Sequence, residues 1–184
     1  MTTATLEAIK LAERVNRIEP SATMAAVAEA DKLRQQGIDV VDCTAGEPHF
    51  STPQHIKDAA IHAIEAGHTK YTEVGGIPEL RAAVCHKLKR DLGLEYAPDE
   101  VTVSCGAKHT LYNIVMALVN PGDEVVIPSP FWVSYPEQVQ LLGGVAVPVA
   151  TSESTGFDLD PAAVRRAVTP RTRVLVLNSP GNPT

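Results

Sequence analysis

"VTVSCGAKHTLYNIVMALVNPGDEVVI", residues Val101 to Ile127, opens with the β-branched run Val101-Thr102-Val103 and closes with Glu124-Val125-Val126-Ile127. Between them a small-residue turn, Ser104 to Ala107, leads into a segment from about Lys108 to Val119 whose apolar residues recur at helical spacing. Strand, helix and strand in so short a cycle predict a parallel pair, because parallel strands need a crossover and a helix supplies it. The same rhythm continues toward the C-terminus. Strands are expected at Val145–Val149 and Val174–Leu177, with helices over about Phe131–Leu142 and Asp160–Ala167. The class is α/β, a mainly parallel sheet covered by helices on both faces.

Upstream the pattern is helical. Leu6, Ile9, Leu11, Val15 and Ile18 predict a helix that Pro20 stops, and a second helix should run from about Thr23 to Gln36 with Gly37 as its C′ residue. Val40-Val41 reads as a short strand leading into the loop Thr44-Ala45-Gly46-Glu47-Pro48. Thr52-Pro53 opens a third helix that Gly67 closes, and Pro78 opens a fourth, Glu79 to about Asp91. The glycine-rich stretch Lys70 to Gly76 between them reads as an ordered loop.

Composition sets the outer bounds. The 184 residues are 44% hydrophobic and 21% charged, which excludes a disordered or collagen-like chain. Lys+Arg 16 against Asp+Glu 22 leaves a net charge of −6, so a sequence-independent grip on nucleic acid is not expected. The three cysteines, Cys43, Cys85 and Cys105, are widely spaced and show no metal-ligand pattern, which predicts a reducing compartment. Neither a signal peptide nor an apolar run of roughly 20 residues is present, so a cytoplasmic protein without a membrane partner is expected.

Ligands of open α/β sheets sit beyond the carboxyl ends of the strands. After Val103 comes Ser104-Cys105-Gly106-Ala107-Lys108, a helix start with free N–H groups and a lysine. It suits a phosphate, although a plain strand-to-helix connection reads the same way. After Ile127 comes the only tryptophan, Trp132, placed to stack on a flat ring or to fill a core. After Leu177, Asn178 and Asn182 alternate with prolines and either aim amides at the strand ends or serve as turn residues. Taken together, the three loops describe a flat, phosphate-bearing ring held by its tail, its face and its substituents.

These residues resemble the N-terminal part of the class I aminotransferases, the pyridoxal-phosphate enzymes of fold type I, and most closely the bacterial aspartate aminotransferases. The resemblance runs through "PSAT" (Pro20–Thr23), "TAGEP" (Thr44–Pro48), "TKYTEVGGIPELR" (Thr69–Arg81), "PGDEVVIPSPFWVSYPE" (Pro121–Glu137) and "NSPGNPT" (Asn178–Thr184). It implies an N-terminal arm and small-domain segment over residues 1–50, and over 51–184 the first part of the large cofactor-binding domain. It also implies roles. Gly46 matches the residue whose backbone meets the substrate α-carboxylate; Gly106, Ala107 and Lys108 match the phosphate cradle, with Ala107 in place of a frequent glycine. Trp132 matches the aromatic on the ring face, and Asn182 the amide on the ring hydroxyl. Tyr71 matches the tyrosine that reaches the phosphate of the neighbouring subunit's cofactor in a homodimer.

The implied reaction passes an amino group from an amino acid, aspartate first, to a 2-oxo acid, 2-oxoglutarate first, through pyridoxal 5′-phosphate. In the family the imine-forming lysine, the ring-nitrogen aspartate, a tyrosine and the α-carboxylate arginine all follow the "NPT" motif. No catalytic lysine is therefore assigned here, Lys108 included, and the expectation is a truncated, inactive sheet in which the strand near Val101–Val103 faces a gap. Glu19, before the "PSAT" match, stands where close relatives can carry a basic residue, which weakens an acidic-substrate reading at that position. Two alternatives stay open: a naturally truncated, non-catalytic cofactor-binding or interaction module, and a relative that performs elimination or decarboxylation.

Overall fold

In the computed structural model, residues 10–19, 22–43, 46 and 48–184 are described. The chain forms two compact units, residues 20–104 in one and residues 105–184 with 1–19 in the other, each as far as described.

The unit of residues 20–104 is helical. Helix α1 spans Ala22–Gln35, α2 Gln54–Glu65 and α3 Pro78–Leu92. Gly37 takes φ +78°, its N–H donates to the Arg34 carbonyl at 2.9 Å and the Ile38 N–H to Leu33 at 3.2 Å. That pair of bonds closes a Schellman turn, for which a glycine at C′ is the usual solution. Gly67 ends α2 the same way, with Gly67 N–H on Ile64 and His68 N–H on Ala63, both at 3.0 Å. Pro78 holds the first position of α3 as expected. Pro53 instead sits one place earlier, as the N-cap of α2 with ψ 143°, where its carbonyl accepts the Ile56 and Lys57 N–H groups.

Gly76 shows why the loop before α3 is rich in glycine. Its φ is +101°, and a Cβ there would stand 2.7 Å from Val103 Cγ2. The close approach lets Val103 N–H donate to the Gly75 carbonyl at 2.9 Å, while Arg81 Nε donates to the Pro98 carbonyl at 2.6 Å from the other side. Two expected strands do not form. Val101–Val103 and Val40-Val41 pair with no strand among the described residues. A strand is a ladder, and the single bond from Val103 to Gly75 does not make one.

The second unit carries the sheet. Its strands are β1 (Glu124–Ser129), β2 (Val145–Ala150) and β3 (Thr172–Leu175), ordered β2-β1-β3 with both pairings parallel. Among its described residues the α-helices are α4 (Ala107–Leu118), α5 (Ser134–Leu141) and α6 (Pro161–Ala167). Central β1 buries Val125, Val126 and Ile127 almost completely, the unbroken apolar run of a strand covered on both faces. Val125 and Ile127 pack with Val115 and Val119 at the end of α4 and with Val139 of α5, and Val126, one pleat over, faces the opposite side. The expected helix from Phe131 shortens to start at Ser134 because Pro136, lacking an N–H, fits only in a first turn.

Charge closes the amino end of the sheet. Glu124 is 4% exposed, and its carboxylate accepts Arg171 Nε at 2.9 Å and the Thr169 hydroxyl at 2.5 Å. Those bonds, Thr169 first and Arg171 next, hold its carboxyl below the usual glutamate range. The N-terminal helix expected over residues 6–18 falls partly outside the described residues, and its described part is a 3-10 turn, Glu13–Arg17. So short a piece closes with the tighter i→i+3 bond, here Val15 N–H to Ala12 at 3.0 Å. The segment docks on α5: Arg17 Nη1 donates to the Leu141 carbonyl at 3.5 Å, and Glu19 N–H to Glu137 Oε2 at 3.3 Å.

Candidate functional site

Gly106 takes φ +85° and ψ 165° as the N-cap of α4, a combination open essentially to glycine alone. The helix starts at Ala107 with no side chain capping it, and the N–H groups of Ala107 and Lys108 have no partner among the described residues. Unsatisfied donors and the positive end of the helix dipole thus point the same way. Behind them, Cys105 N–H donates to His109 Nδ1 at 3.2 Å.

Trp132 lies beside this turn. The Lys108 ammonium stands 4.9 Å from the centroid of its ring, a cation–π distance. The Tyr135 ring meets the indole edge-on, centroids 5.6 Å apart at 87°. The buried Gln138 amide donates to the Lys108 carbonyl at 3.0 Å, so α5 ties the aromatic pair to the first turn of α4. Trp132 is half-buried and Lys108 exposed, so both present surface to solvent.

A cleft of ≈ 420 Å³ opens at the carboxyl ends of β1 and β3. Phe131, Tyr135, Phe157, Asn178 and Asn182 are among its lining residues. Asn182 shares the cleft with Tyr135, the residue that also touches Trp132. Trp132 and the Gly106–Lys108 turn are outside its lining. Gly46 and Tyr71 belong to the other unit, where both are exposed and Gly46 has nothing within 4 Å of a notional Cβ. The neighbours of Gly46 at 44, 45 and 47 lie outside the described residues.

Sequence reasoning singled out Lys108 and Trp132 separately, and the structure brings them together. It missed Tyr135, Gln138 and His109. The first two carry a weak signal, three and six residues beyond Trp132 on one short helix, and His109 sits at the third position of α4, where a side chain can reach back over the helix start. Phe157, with φ +62°, carries no pattern that marks it in advance.

Comparison with known proteins bears on the family and the fold. The model of the family "Aminotransferase class I and II" matches residues 38–184. An aspartate aminotransferase of Geobacillus stearothermophilus is 52% identical over 176 residues, which are 96% of this chain and 45% of that protein. An aspartate/prephenate aminotransferase of Thermus thermophilus is 53% identical over 174 residues, 95% of this chain and 45% of its own length. The crystal structure of the Thermus thermophilus aspartate aminotransferase with maleate superposes with a TM-score of 0.91 at 52% identity, covering 96% of this chain and 46% of that one. The chain thus spans a little under half the length of these relatives. With the family model matched over residues 38–184 and about half of its residues identical to these proteins along nearly all of its length, the chain belongs to the class I and II aminotransferase family.

Proposed function

We propose that this chain holds pyridoxal 5′-phosphate and contributes to an aminotransferase that moves an amino group from an amino acid, aspartate first, to a 2-oxo acid, 2-oxoglutarate first. The observation that carries the reading is the meeting of Lys108 with Trp132 at the uncapped start of α4. The donor set fits the group: two unpartnered N–H groups and an ammonium suit a phosphate, a half-buried indole suits a flat ring, and a cleft-lining amide suits a ring hydroxyl.

When bound, the cofactor supplies an electron-poor ring that acidifies the α-hydrogen of an amino acid joined to it. Within this chain, the Ala107 and Lys108 N–H groups would hold the phosphate, with Gly106 shaping the turn that presents them. Trp132 would bear on one ring face and keep water from it. Asn182 would donate its amide to the ring hydroxyl, and the Gly46 backbone would meet the substrate carboxylate. Tyr71, fully exposed, would reach the phosphate held by a second copy, which makes the working unit a homodimer. No lysine of this chain is assigned the proton transfer. The expected setting is the cytoplasm; among the described residues no helix is long and apolar enough to cross a membrane.

Trp132 is the chain's only tryptophan, so its fluorescence tests the reading directly. Pyridoxal phosphate should quench it saturably and inorganic phosphate should relieve the quench by competition; an unchanged signal up to millimolar cofactor would overturn the assignment. Borohydride added to the mixture should label no single lysine, and selective labelling of Lys108 would show that the chemistry had been misplaced. Transamination assays on the complete gene product, with acidic and aromatic donors side by side, rank the substrates.

A further inference from the structure

We infer that His109 is a positioning residue for the phosphate turn, holding it in shape only while its imidazole is neutral; the inference rests on the cofactor reading above. Its Nδ1 accepts the Cys105 N–H at 3.2 Å. Cys105 directly precedes the Gly106 N-cap, and His109 is the third residue of α4. The contact is similar to that of a capping-box glutamate or glutamine, which bonds the N-cap N–H from the third position, but reaches one residue further back. It ties the chain entering the turn to the helix leaving it, beside a longer bond from the Thr110 hydroxyl to the Gly106 carbonyl at 3.5 Å; no side chain caps α4 itself.

An imidazole nitrogen accepts only when it is unprotonated, so the bond places the proton of neutral His109 on Nε2. Histidine is also the side chain that changes charge between about pH 5 and 8. A proton on Nδ1 would set two donors against each other and put a positive charge in the first turn of α4, where the dipole disfavours it. The neighbouring titratable groups do not offset this. Lys108, on the same turn, is itself a cation; Cys105 lies one residue before the N-cap; and on α5, which packs against α4, Glu137 accepts the Glu19 N–H and Tyr135 meets Trp132. Among the described residues no carboxylate is bonded to His109. The imidazolium would attract an anion, but from an exposed position where solvent and salt screen it, whereas losing the bond deforms the turn that presents the donors.

Three proteins test this: the wild type, His109→Gln, which keeps an acceptor without titrating, and His109→Leu, which keeps neither. In the ligand-free chain the Cys105 amide resonance should move between pH 8 and pH 5.5 in the wild type and stay put in His109→Gln. Pyridoxal phosphate affinity, read from Trp132 fluorescence, should match within about twofold between wild type and His109→Gln at pH 8 and be about fivefold weaker in His109→Leu. At pH 5.5 the wild type should fall about fivefold behind His109→Gln, a ratio from which the ligand's own ionisation cancels. Superimposable pH profiles, or a Cys105 amide indifferent to pH in the wild type, would overturn the inference. If none of the three binds the cofactor, the cofactor reading fails while the amide titration still decides the role of His109.

Discussion

Gly106 carries the sharpest constraint of any single residue in the site. Its φ and ψ belong to a region that side chains avoid, while the space around it is open. A substitution therefore acts through backbone strain and not through collision. Gly106→Ala should lower stability by about 1–3 kcal/mol in urea unfolding and weaken cofactor binding further by turning the Ala107 and Lys108 donors. Gly144 is the opposite case: a Cβ there would stand 2.7 Å from Val119 Cγ1 and 2.9 Å from Val139 Cγ1, so Gly144→Ala should destabilise by core crowding and leave the site's donors alone. The glycine of the turn was legible in the sequence because it lies in a small-residue stretch, Ser104 to Ala107, that leads directly into a helix. The contact of Lys108 with Trp132 was not, since 24 positions separate them and only the packing of α5 on α4 closes the distance.

At the scale of elements, β1 decides the unit that contains it. Ile127 is buried between α4 and α5, and Ile127→Ala should cost about 2–5 kcal/mol, read as a lower urea midpoint. At the other end of the strand, the Glu124 carboxylate is held ionised by Thr169 and Arg171. A carboxyl depressed below its ordinary value stabilises the fold above that value and loses the contribution as pH falls through the lowered one. The melting temperature of the wild type should thus fall more steeply below about pH 4.5 than that of Glu124→Gln, and parallel curves would contradict the ion pair. The strands of this unit were readable because β-branched runs between glycine and proline corners leave few alternatives. Val101–Val103 has the same composition and forms no ladder, because pairing depends on what lies beside a run and composition says nothing of that. The start of α5 was misplaced for a different reason: Phe131 and Trp132 look helical by spacing, yet Pro136 sets the first turn.

At the scale of the whole chain, a large apolar surface remains exposed. Val74 is 100% exposed, Val41 88% and Phe50 85%, and α2 and α3 bury none of their side chains fully. Among the described residues, β2 and β3 each pair with one strand, and beside β3 an apolar groove is lined by Val164, Val168, Leu175 and Leu177. Apolar patches and unpaired strand edges of this kind promote association in water. The chain studied alone should therefore sediment with a weight-average mass that rises with concentration and should bind a hydrophobic dye in the folded state. Replacing Leu177 by lysine should reduce both signals with little change in the urea midpoint, because that side chain is 68% exposed and charges beside an edge oppose pairing. A concentration-independent mass of 19.6 kDa, with no dye bound, would show that the exposed surface is tolerated and would contradict association through it.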